Sequence, residues 1–232
     1  VFLIATLIAN LNTRFSLIRT RTNLPFIVPL FLFSLHPYFL QMSPDYISVI
    51  FILSALTPLL QSYQKVETQL FSFRSSILIS LAAVFQVYAL VLLPLWWRGE
   101  FSMRGIHFKS LLASLFGVIL VFFSVGTFYL FFDNLEGFTV PFLQSTQISI
   151  RQLPTLSTPQ WTFVAFIFLF FFLYMFFSIN TYKRDKVITL TVMQFMVFML
   201  IISLTLQAVY WRETLFFLSL SMAFIAYLIA YF

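Results

Sequence analysis

Seven stretches of this chain contain no Asp, Glu, Lys or Arg: Leu24–Leu40, Tyr46–Leu60, Ile77–Trp97, Ser110–Phe132, Trp161–Ile179, Val187–Leu206 and Leu215–Phe232. Crossing about 30 Å of hydrocarbon at about 1.5 Å per residue takes about 20 helical residues. The third to sixth stretches reach that length. The first two are shorter and carry Pro25, Pro29, Pro37 and Pro58, which predicts kinked or partial spans. Backbone facing lipid must satisfy its own hydrogen bonds, leaving helices or a closed barrel. Uninterrupted apolar runs without alternation exclude the barrel. Composition closes the soluble route: 9% of residues are charged and 61% hydrophobic, with 34 Phe. A soluble domain uses about 25% charged residues to cover its surface.

The expected fold is therefore an all-α, polytopic integral membrane helix bundle of about 6–8 transmembrane or re-entrant helices. A single transmembrane domain would cover residues 1–232. The first apolar segment, Val1–Ala9, has no Met and no charged leader before it, so it reads as the tail of a longer first span in a chain truncated at its N-terminus. Trp96, Trp97, Trp161 and Trp211 all fall at or beside run ends, where indole rings anchor at the headgroup level.

Loop charge sets orientation. Positive loops, expected on the cytoplasmic side, are 10–23, 61–76, 98–109 and 180–186, while 41–45 and 133–160 are net negative. Yet 61–76 and 98–109 are joined by one apolar run, Ile77–Trp97, and a single crossing would put them on opposite sides. Gln86, Tyr88 and Pro94 interrupt that run. A re-entrant pair of half-helices resolves the conflict, since broken backbone is tolerated at membrane depth where protein covers it.

The chemistry-bearing residues are few. With no charge inside any run, the bundle interior is expected to lack formal charge, which argues against ion-coupled transport. Cysteine is absent, and His36 and His107 lie far apart without an acidic neighbour, so neither a metal site nor another cofactor site is expected. Gln86 and Gln194 read as interhelical hydrogen-bonding groups, and Ser110, Ala113, Ser114 and Gly117 as a small-residue packing face. Arg98, Arg104 and Lys109 form the densest interfacial cluster, suited to anionic lipid headgroups or a lipid-linked phosphate. Candidate outer-face carboxylates are Asp45, Asp133 and Glu136. The net charge of +6 is spread over short loops rather than gathered in one stripe, which favours membrane lipids, and membrane protein partners, over nucleic acid.

The order of motifs is also informative. Asn23-Leu24-Pro25 is followed by Leu35-His36-Pro37, Ser43-Pro44, and a basic loop with Phe71 and Arg74. Then come Leu95-Trp96-Trp97-Arg98, Phe101-Ser102-Met103-Arg104 and a span with Gly117. Over roughly residues 1–135 this resembles an uncharacterised family of multi-pass inner-membrane proteins of Bacteroidota. The family tends to carry Gly where this chain has Ser80, Ala82 and Ala83, and it has no established activity. The resemblance implies a bacterial inner-membrane location. A more distant similarity, at the level of fold, is to membrane-embedded C-type glycosyltransferases. Three functional readings follow. The first is a non-catalytic structural or assembly subunit of the cell envelope. The second is a glycosyltransferase-like enzyme acting on polyprenyl-phosphate-linked sugar, and the third a channel or facilitator for an uncharged solute.

Overall fold

The structure, a computed structural model, describes residues 1–15, 22–35, 37–65, 69–105, 107–145, 187–210 and 216–231, with 162, 165, 166 and 169. The described residues are helical, with no strand. They form nine α-helices: α1 (Phe2–Phe15), α2 (Leu24–Ser34), α3 (Pro44–Gln61), α4 (Gln69–Phe85), α5 (Leu92–Arg104), α6 (Phe108–Phe131), α7 (Leu135–Ser145), α8 (Val187–Val209) and α9 (Phe216–Tyr231). Three of these, α3, α6 and α8, are long and apolar enough to cross a membrane. Trp161, Trp211, His36, the loop 180–186 and most of the run Trp161–Ile179 lie outside the described residues.

Two helices show how the bundle is layered. Helix α9 is apolar on every side, and nearly all of it is buried, from Phe216 to Ala230. A helix hydrophobic all round belongs in the middle, and α9 packs against α2, α3 and α8. Helix α6 is the opposite case. It buries only Ser110, Ser114, Gly117 and Val121, a stripe one residue wide, and exposes Phe116, Ile119, Phe123 and Phe131. Soluble monomers do not present apolar surface on this scale to water; lipid is the solvent that suits α6.

The run Ile77–Trp97 folds as a hairpin. Helix α4 ends at Phe85, Gln86 is extended (φ −144°, ψ 102°), and a 3-10 turn over Val87–Val91 leads into α5. Pro94 explains the tightened turn, because its ring displaces the carbonyl four residues back, at Leu90. Gln86 Nε2 donates to Asp45 Oδ1 (2.6 Å) at the start of α3. At the far end, Ser72 of α4 donates to Glu100 of α5 (2.8 Å). The two arms are therefore antiparallel, and both open ends of the hairpin lie at one end of the bundle.

The arms are longer than half-helices. Helix α4 begins at Gln69, not Ile77, and α5 continues past Trp97 to Arg104. Serines make the early start possible: Ser75, Ser76 and Ser80 donate to Phe71 O, Phe73 O and Ser76 O, so their hydroxyls are satisfied on their own helix. Gly105 stops α5 with φ 81°, a left-handed conformation that glycine adopts without strain. The chain turns at once into α6, which runs back along α4.

At Gly117, α6 and α4 approach closely. A Cβ there would collide with Ser76 Oγ and lie 3.1 Å from the Phe73 carbonyl oxygen, while Phe73 and Phe116 stack beside it (6.1 Å between centroids). Gly117→Ala is expected to destabilise the protein by about 1–3 kcal/mol, read as a lowered Tm in detergent. Adding Ser76→Ala should recover part of the loss, and an unchanged Tm for the single variant contradicts the contact.

Candidate functional site

The end of the bundle where the hairpin opens holds the densest polar chemistry among the described residues. Glu100 and Arg104 are one helical turn apart on α5, and their side chains are only 3% and 1% exposed. Arg104 Nη2 donates to Glu100 Oε2 (2.7 Å) and to Ser72 Oγ, and the Ser72 hydroxyl donates a hydrogen bond to the same carboxylate oxygen. One carboxylate, one guanidinium and one hydroxyl thus close a ring across two helices. Arg104 Nε and Nη1 are buried with no hydrogen-bond partner. Desolvated donors of this kind carry a cost, so the ion pair adds little net stability, and Ser72, bonded to both of its members, is what ties α5 to α4.

This corrects the expectation of a bundle interior without formal charge. The apolar run stops at Trp97, but the helix does not, and its last two turns are covered by α4 and α8. Glu100 was missed because loop counting treats every charge beyond a run as solvated. The available signal was the i, i+4 spacing of Glu100 and Arg104 among Trp97, Phe101 and Met103, which marks a paired helix face.

Of the three basic residues grouped by sequence, the structure keeps only two at the surface. Arg98 is exposed, its guanidinium 5.9 Å from the Phe101 ring centroid, and Lys109 is exposed at the start of α6. Arg104 points inward and is held by Glu100. The tryptophans divide similarly. Trp96, expected at the headgroup level, is 1% exposed and meets Phe195 of α8 edge-on (5.7 Å). Gly99 makes room for that same Phe195 ring. Trp97 is half-buried, and its Nε1 donates to Ser114 Oγ (2.8 Å), tying α5 to α6. Ser110 and Ser114 are buried with Gly117, while Ala113 is half-buried.

The carboxylates singled out as outer-face candidates gather at the opposite end. Asp45 accepts from Gln86 at the hairpin tip. Asp133 and Glu136 line a cavity of about 360 Å³ at the turn from α6 to α7, with Leu130, Asn134 and Leu135. Residues 135–145, read from sequence as part of the net-negative loop 133–160, form α7 instead. That helix packs Phe138 and Phe142 on Phe122, and Asn134 Oδ1 caps its first turn by accepting from Gly137 N–H (3.1 Å). Helix α6 has 24 residues, so about 36 Å separates its two ends. A phosphate held at Arg98 and Lys109 would be far beyond the reach of Asp133 or Glu136.

No protein family, curated protein or solved structure matches this chain.

The clamp makes a sharp stability prediction. Glu100→Gln leaves a buried, uncompensated guanidinium and is expected to cost about 3–5 kcal/mol. Glu100→Leu combined with Arg104→Met should be near neutral, because the desolvation cost leaves with the charges. Unfolding midpoints in detergent distinguish the two; a double variant as damaged as the single one contradicts this account.

Proposed function

We propose that the chain is a non-catalytic, multi-pass subunit of a bacterial inner membrane, serving as a packing or assembly element of the cell envelope. The observation that supports this reading is how the buried polar groups are used. Glu100–Arg104–Ser72, Gln86–Asp45, Trp97–Ser114 and the Gln207 Oε1 that accepts Leu218 N–H (2.7 Å) each join one element to another. Polar side chains between membrane helices commonly act in this way, at about 0.6 kcal/mol each.

In this reading α4 and α5 cross the membrane as short spans beside α3, α6 and α8, and α2 and α9 complete the expected 6–8. The bacterial inner-membrane location rests on the resemblance to the Bacteroidota family. The glycosyltransferase-like alternative needs the basic and acidic groups to meet on one lipid-linked substrate, and their separation along α6 works against that.

An assembly subunit should leave the membrane with its partners. Native mass spectrometry after mild detergent extraction is expected to give a stoichiometric complex heavier than the 27.2 kDa chain. A bare chain that also turns over a polyprenyl-phosphate sugar would contradict the proposal.

A further inference from the structure

The Glu100–Arg104 pair has an effect on the surface around it. At the end of the bundle where the hairpin opens, the described residues include five cations: Lys65, Arg74, Arg98, Arg104 and Lys109. Glu100 is the one described carboxylate at that end, and it is buried against Arg104. The remaining four cations are exposed, and none has a carboxylate partner among the described residues. Lys65 sits in the turn before α4 with its ammonium 5.6 Å from the Phe71 centroid, and Arg74 is in the second turn of α4. Arg98 is midway along α5, less than two turns before its end, and Lys109 is at the start of α6. Between them stand exposed apolar side chains: Leu70 (52%), Phe101 (53%) and Phe108 (73%). The described carboxylates Asp45, Asp133 and Glu136 are all at the other end.

We infer that this rim, Lys65, Arg74, Arg98 and Lys109 with Phe101 and Phe108, selects anionic phospholipid headgroups. The apolar side chains enter the acyl boundary while the cations stay at phosphate level, an arrangement that long basic side chains reach by extending toward the interface. Arg104 takes no part, because its charge is cancelled within the protein. The inference rests on the membrane-spanning reading above.

The test uses the full chain reconstituted in phosphatidylcholine, with trace spin-labelled phosphatidylglycerol or phosphatidylcholine reporting the lipid immobilised at the protein. The expected result is several-fold preference for phosphatidylglycerol, since each cation near an anionic surface contributes about fivefold. High salt should weaken the preference, and Arg98→Gln with Lys109→Gln should reduce it several-fold, with Lys65 and Arg74 left in place. Both residues are exposed, so the variant keeps its fold. Asp133→Asn with Glu136→Gln, at the other end, should leave the preference in place. Equal immobilisation of the two lipids, or a preference left unchanged by loss of Arg98 and Lys109, overturns the inference. If neither lipid is immobilised, the membrane-spanning reading itself has failed, and the inference falls with it.

Discussion

The path of this chain depends on one buried contact, the ring formed by Ser72, Glu100 and Arg104. It brings the first turn of α4 beside the last turn of α5, although 28 residues separate Ser72 from Glu100. Burying a guanidinium and a carboxylate together costs desolvation that their attraction barely offsets. Register comes from Ser72, because an α5 shifted by one turn would carry its ion pair along but lose both hydrogen bonds to Ser72. With α5 fixed, Gly105 releases the chain at the same end of the bundle where α4 began, and α6 returns along α4. The separation of basic and acidic ends follows from that geometry.

Packing elsewhere uses the means available where solvent is apolar. Lipid gives no hydrophobic drive to bring helices together, so close approach and hydrogen bonds must do it. Helix α6 presents Ser110, Ser114 and Gly117 to α4 and α5, and bulky Phe, Leu and Ile on its other faces. Helix α9 carries apolar residues on every face because every face meets protein. The Tyr88, Tyr210 and Phe217 rings close the hairpin-tip end, with Tyr88 and Tyr210 centroids 4.7 Å apart.

Much of this was legible in the sequence, and the failures have physical causes. Absent charge over long runs gave the helical class and located α6 and α8, whereas α3, whose short run and Pro58 predict a kinked or partial span, is long and apolar enough to cross. Gln86 and Pro94 marked the break, and the conflict in loop charge pointed to a hairpin. The depth of that hairpin was underestimated because hydropathy discounts Ser72, Ser75 and Ser76, whose hydroxyls a helix satisfies internally. Trp96 ends an apolar run, which predicts an interfacial anchor; the helix outlasts the run, so Trp96 lies in the core and Trp97 beside it bonds to α6. The inward turn of Arg104 needed the three-dimensional meeting of α4 with α5, which no linear count of charges contains.

In the proposed membrane-spanning arrangement, both ends of the α4–α5 hairpin lie on one side of the membrane. The chain has no cysteine, so single substitutions report cleanly. Gln64→Cys and Ser102→Cys, both at exposed positions, should react with a membrane-impermeant maleimide from the same side, and Asn134→Cys from the opposite side. Labelling of Gln64→Cys and Ser102→Cys from opposite sides would contradict the hairpin and the account built on it.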